Sequence, residues 1–250
     1  MITNFLLAFQ FLTVIPLKIK KVSEQKIADS VIYFPLIGAV MGLSLAGLNQ
    51  LLFHLNFPNL ALSAILIVSL IIITGGMHLD GLSDTADAFL SVRPQEEMLK
   101  IMRDSHVGVM GALSLISAIV LKIALFYSIS NSLKPGALVL MCSLSRWSVA
   151  PQMFFFPYAR KEGKAAIFIT GMSPKIFISS TLIAAACAFL VLGLKGLTVL
   201  LGVGFFAYFF GKLASSKING ITGDTLGATI ELTEIVILSA LCIMGGMIYG

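Results

Sequence analysis

Apolar residues run along this chain in long unbroken stretches with short polar interruptions, and that pattern predicts an all-α fold. Seven stretches are long enough to read as membrane spans: Val31–Leu55, Leu60–Leu79, Val107–Ser130, Pro135–Phe156, Ile176–Leu194, Leu197–Leu213 and Leu226–Tyr249. About 20 consecutive apolar residues cross a bilayer core as a helix, and these stretches are longer than a barrel strand requires. A helix also satisfies its own backbone hydrogen bonds, which lipid cannot do. The opening stretch Met1–Pro16 is too short to cross easily and lacks the basic leader and small-residue cleavage site of a signal peptide. It is expected to be a short interfacial or re-entrant helix, an eighth short span being the alternative. The expectation is therefore a polytopic helical membrane protein of about seven transmembrane helices, in one membrane domain over residues 1–250.

Composition agrees and adds a direction. The chain is 58% apolar and only 12% charged, against about 25% charged residues in ordinary soluble domains. With the loop after Val31–Leu55 taken as the far side, Lys18, Lys20, Lys21, Lys26, Arg93, Lys100, Arg103, Arg160, Lys161, Lys164, Lys175, Lys212 and Lys217 share one face. Lys134 and Lys195 lie on the other, and Lys122 and Arg146 fall inside spans. The positive-inside rule makes the basic face cytoplasmic. This bias accounts for the net charge of +5 without a nucleic-acid partner. Cys142, Cys187 and Cys242 all lie in apolar stretches and form no CxxC pair, so they read as packing residues rather than zinc or redox ligands.

The acids are equally one-sided. After the second stretch comes Gly75-Gly76-Met77-His78-Leu79-Asp80-Gly81-Leu82-Ser83-Asp84-Thr85-Ala86-Asp87. Asp80, Asp84 and Asp87 stand at i, i+4 and i+7, one face of a helix. Like charges so crowded either raise their pKa values or hold a cation. Gly76 and Gly81 allow a tight turn or close approach of a ligand or neighbouring helix. A second acidic set, Asp224, Glu231 and Glu234, opens the last span, with Glu234 lying toward the membrane interior, where an acid is a functional candidate by default. Two acidic clusters on one membrane face predict one site built by two helices, suited to Mg²⁺ and a phosphorylated substrate.

Such a substrate needs cations, and Arg93, Arg103, Arg146, Arg160, Lys161 and Lys164 are available. Arg146 lies deep in an apolar stretch and must be paired, either with a phosphate or structurally with Glu231 or Glu234. Lys122 can snorkel or pair in the same way. Asp104 can cap a helix or join the metal site. His106 can serve as a general base or simply as a hydrogen-bonding residue, and His78 reads similarly.

These residues resemble the cobalamin synthase family, the adenosylcobinamide-GDP ribazoletransferases. The resemblance covers nearly the whole chain. It rests on Phe11-Leu12-Thr13-Val14-Ile15-Pro16, Phe34-Pro35-Leu36-Ile37-Gly38, Gly75–Asp87, Met102–Gly108, Ser145-Arg146-Trp147, Pro157-Tyr158-Ala159-Arg160 and Gly220–Glu234. Val14 and His106 stand where the family pattern often has Arg, and Ser83 where Ala is common. The resemblance implies that adenosylcobinamide-GDP and α-ribazole, or its 5′-phosphate, are joined with release of GMP at the last assembly step of cobalamin biosynthesis. It implies a multi-pass protein of the cell inner membrane and leaves oligomerisation open. Mg²⁺ on Asp80, Asp84, Asp87, Asp224 and Glu231 would then bridge the diphosphate. Arg146 and Arg160 would clamp phosphate oxygens, Arg103, His106, Gly76 and Gly81 would contact substrate, and Asp87 or Glu234 would accept the hydroxyl proton. Two rivals remain. One is another Mg²⁺-dependent membrane transferase, of the CDP-alcohol phosphotransferase or prenyltransferase kind; the Ala-Arg that follows Asp-Gly in the former is missing after Asp80-Gly81. The other is a cation-coupled transporter, which would place its acids near the bilayer midplane between repeats.

Overall fold

The structure, a computed structural model, describes residues 1–19, 22–160 and 162–249; Lys20, Lys21 and Lys161 of the basic face lie outside the described residues. The helices in chain order are α1 (Ile2–Leu12), α2 (Glu24–Asp29), α3 (Phe34–His54), α4 (Asn59–Thr74), α5 (Met77–Phe89), α6 (Gln95–Ile101), α7 (Val109–Ser128), α8 (Lys134–Trp147), α9 (Val149–Phe155), α10 (Ala166–Thr170), α11 (Pro174–Leu192), α12 (Leu194–Ile218) and α13 (Gly223–Tyr249). A single 3₁₀ turn, Ser30–Tyr33, joins α2 to α3. The all-α expectation and the short N-terminal helix are observed.

Among the described residues, five helical stretches are long and apolar enough to cross a membrane: Glu24–His54, Val109–Ser128, Pro174–Leu192, Leu194–Ile218 and Gly223–Gly245. The count becomes six if the bent pair α4 and α5 is one span, so the seven spans read from the sequence are not all reproduced. Two of them change, for separate reasons. The Leu60–Leu79 stretch breaks at Gly75 and Gly76, whose φ angles of 65° and 71° lie in the left-handed region that glycine enters without strain. The Gly76 amide closes the end of α4 on the Ile71 carbonyl at 3.1 Å, a Schellman-type stop, and α5 leaves at 91°.

The Pro135–Phe156 stretch is two helices. α8 has 14 residues, about 21 Å at 1.5 Å per residue, which is short of the roughly 30 Å hydrocarbon core. It need not face lipid, because Ala137 to Trp147 are all buried. Gly38 and Gly42 of α3 make this possible. A Cβ at either would strike the backbone of α8 around Cys142 and Val139, so only small residues let the two helices approach this closely.

The outer helices carry an exposed apolar surface. Leu113, Ile116 and Val120 on α7, Ile178, Leu182 and Leu190 on α11, and Leu201 and Phe205 on α12 are exposed. In water such a belt would be an aggregation hazard, and in a bilayer it is solvated. Inside this ring, α3, α8 and α13 form the core, and α5 lies across α13 and α7 at one end.

Candidate active site

The crossing of α5 and α13 builds the site. A Cβ on Gly81 would sit 2.7 Å from the Asp224 carbonyl oxygen, and one on Gly227 would sit 3.2 Å from the His78 carbonyl oxygen. Each helix thus offers a glycine to the other's backbone, and the first acidic motif lands beside the start of α13. That start is fixed by a reciprocal cap. The Thr225 amide donates to Thr222 Oγ1 at 3.2 Å, and the Thr222 amide donates to Thr225 Oγ1 at 2.9 Å, an arrangement that satisfies orphan amides at a helix entry.

Arg160 arrives by a different route. The Pro157–Arg160 segment pairs with Ile221: the Ala159 amide donates to the Ile221 carbonyl and the Ile221 amide to the Pro157 carbonyl, both at 2.9 Å. Arg160 then donates from Nη2 to Asp224 Oδ2 at 2.5 Å, while its Nε is buried without a partner. Asp80, Asp224, Arg160 and Lys164 share the wall of one cavity of about 350 Å³. Asp80 and Lys164 are exposed at its open end, whereas Phe34, Phe168, Leu12 and Met153 are buried at its inner end. Asp84 stands just outside it. Asp84 is half-buried there, with the Asp80 and Asp224 carboxylates as charged neighbours.

Other predicted site residues go elsewhere. Asp87 accepts from the amides of Gly108 and Gly111, both at 2.8 Å, and so caps the N-terminus of α7 with both oxygens. A side chain at Gly108 or Gly111 would collide with that carboxylate. The deeper acids of α13 are matched by the two intramembrane cations. Lys122 Nζ lies 2.6 Å from Glu231 and 2.8 Å from Glu234, and Arg146 Nη1 donates to Glu234 at 2.5 Å. All four are buried, and two positive and two negative charges can share a low-dielectric interior only in such contact. Glu231, Glu234 and Arg146, read from the sequence as metal ligand, proton acceptor and phosphate clamp, are therefore engaged with one another and do not line the cavity.

His106 is exposed in the α6–α7 connection, with Nδ1 2.6 Å from Asp104 Oδ1. That hydrogen bond raises the imidazole above its usual pKa and lowers the carboxyl. Arg103 is exposed beside it, and Gly76 sits at the α4–α5 break with open space around it. The cavity wall includes His78, which the sequence left open between a general base and a hydrogen-bonding residue. His78 is buried, and its Nδ1 has no partner. Its position directly before the acidic motif was the available signal. The aromatic wall of Phe11, Phe34 and Phe168 is assembled from three distant segments and carried no local signal; their ring centroids lie 4.6 to 5.9 Å apart.

A family model described as cobalamin-5-phosphate synthase matches residues 4–242. The chain belongs to this family. A curated relative named adenosylcobinamide-GDP ribazoletransferase, from Clostridium novyi (strain NT), is 35% identical over 243 residues, covering 95% of this chain and 96% of its own. Relatives of the same name from Desulfitobacterium hafniense (strain Y51) and Thermodesulfovibrio yellowstonii (strain ATCC 51303 / DSM 11347 / YP87) are 37% and 35% identical, covering 93% and 95% of each chain. No solved structure matches. Family membership makes this chain a multi-pass membrane transferase of cobalamin assembly, and it turns attention to what the cavity mouth, with its carboxylates and Arg160, can do for a nucleotide-activated substrate.

Proposed function

We propose that this chain transfers the adenosylcobinamide phosphate moiety of adenosylcobinamide-GDP to a hydroxyl of α-ribazole or its 5′-phosphate, releasing GMP, with Mg²⁺ at the cavity mouth. The observation that carries the reading is the α5–α13 crossing, which gathers Asp80 and Asp224 with Arg160 at one opening and leaves Asp84 beside it. The donor set fits Mg²⁺ of a particular kind. Among the described residues no three acidic, His or Cys groups close into a metal cage, but Mg²⁺ is usually held by one or two carboxylates plus substrate phosphates and waters. Asp80 and Asp224 would supply the two carboxylates. When bound, the ion would neutralise charge that develops on the leaving phosphate.

The protein's own groups do the rest. The Arg160 guanidinium, with an unpartnered Nε, would hold phosphate oxygens while Asp224 keeps it oriented. Asp84 stands half-buried beside the Asp80 and Asp224 carboxylates. It would take the hydroxyl proton as the new oxygen–phosphorus bond forms and the bond to GMP breaks. The α5 and α13 backbones, packed glycine to backbone, would keep these groups at fixed separation. The one-sided basic charge supports a cytoplasmic active face.

The test is direct. Purified protein in nanodiscs is given adenosylcobinamide-GDP, α-ribazole and Mg²⁺, and the cobalamin product and GMP are followed by mass spectrometry. Equal amounts of both are expected, with loss of product on chelation and in Asp84→Asn. Absence of product from folded protein refutes the transferase reading, and full turnover after exhaustive chelation refutes the metal.

A further inference from the structure

The cavity behind the carboxylates has two unlike halves. Its open end carries Asp80, Asp224, Arg160 and Lys164, and Phe34, Phe168, Leu12 and Met153 are buried at its inner end, with Phe11 beside them. The three phenylalanine rings pack on each other, with Phe11 and Phe168 at 4.6 Å and Phe11 and Phe34 stacked at 5.7 Å. The volume of about 350 Å³ is at the small end of the roughly 300–1,000 Å³ range of ligand sites. It holds one flat heterocycle with its sugar. It excludes a corrin macrocycle with its peripheral amides, and the inner wall offers no group to pair with a phosphate.

We propose that this cavity seats the acceptor nucleoside, its apolar base against Phe168 and Phe34 and its hydroxyl turned out toward Asp80 and Asp224. The inference rests on the transferase reading and goes further: it divides the site into a closed acceptor side and an open side for the bulky nucleotide-activated donor. A flat apolar base gains from burial against aromatic rings, and the sugar, which needs polar partners, reaches the charged mouth. His78 stands in the same wall with a buried, unpartnered Nδ1.

Two experiments test this. The first uses initial rates with each substrate varied against the other at saturation. Ala165 lines the cavity, and Ala165→Leu places three further carbons in it. Phe168→Leu removes the ring but keeps the wall apolar. Loss of a base–aromatic contact should raise the acceptor KM roughly five- to hundred-fold, with donor KM within about two-fold of wild type. A rise in donor KM with the acceptor KM unchanged overturns the inference. The second needs no variant: a tritiated azidobenzimidazole riboside is photolysed with wild-type protein that lacks donor. Labelling at Phe11–Leu12, Met153 or Phe168, protected by excess unlabelled nucleoside, is expected; labelling elsewhere, or without protection, overturns it. Failure of the transferase reading is separate, since it appears as no cobalamin product from wild type.

Discussion

Gly81→Ala is the sharpest single perturbation of the site. The new Cβ would lie 2.7 Å from the Asp224 carbonyl oxygen and 3.0 Å from Asp224 Cα. Both are rigid backbone atoms, so neither can swing aside as a side-chain tip would. Relief to an ordinary contact of 3.4 Å requires α5 and α13 to separate by about 0.7 Å at that point. Overpacking of this kind costs about 1–3 kcal/mol, which is tolerable. The catalytic cost is larger, because a misplacement near 1 Å can lower a rate by about 100-fold. The expected result is a kcat for GMP release reduced roughly 10- to 100-fold, in protein that still folds and melts within several degrees of wild type. Gly47→Ala is the control, because a Cβ there meets nothing within 4 Å; it should keep full activity. Wild-type kcat in Gly81→Ala would refute the claim that the helix crossing sets the spacing of the carboxylates. A lower melting temperature with unchanged kcat would refute it equally.

Three other outcomes follow from named contacts. Lys122→Met should destabilise by about 3–5 kcal/mol, since it leaves Glu231 and Glu234 with one buried cation between them; Lys122→Met with Glu231→Gln should recover part of this in an SDS unfolding titration, and no recovery would refute the pairing. Asp87→Asn should cost about 1 kcal/mol through the weakened α7 cap, with the Mg²⁺ dependence of turnover unchanged; a shifted Mg²⁺ half-saturation would instead return Asp87 to the metal site. The His106 imidazole, held above its usual pKa by Asp104, should titrate closer to 6.5 in Asp104→Asn by NMR. The sign is that of a raised pKa: the contact is intact at low pH and is lost as pH rises through the folded-state value.

Much of the protein was legible in local pattern. The long apolar stretches announced helices, and the glycines at 75 and 76 allowed the turn that the chain makes there. The failures share one cause. Acids and cations were grouped by membrane face, but pairing depends on depth and rotation about the helix. Glu231 lies two turns below Asp224, and at that depth it meets Lys122 of α7 instead of the first acidic motif. Asp87, one turn beyond Asp84, has rotated onto the start of α7. The short helix α8 was counted as a span because its apolar residues answer to protein neighbours as well as they would to lipid.

The sequence by itself determined that this is an all-helical protein with several helices long and apolar enough to cross a membrane, and which family the chain belongs to. These are properties of composition, periodicity and motif, and each is written in contiguous residues. Tertiary structure alone decided which acids meet. Glycine-to-backbone packing between α5 and α13 brings Asp80 and Asp84 to Asp224, and burial forces Glu231 and Glu234 onto Lys122 and Arg146. It also decided that Phe11 and Phe34 meet Phe168, more than a hundred residues further along the chain, in the wall of one cavity. Contacts across such separations depend on how helices cross, and crossing is set by side-chain size at a few interface positions, which no local pattern reveals.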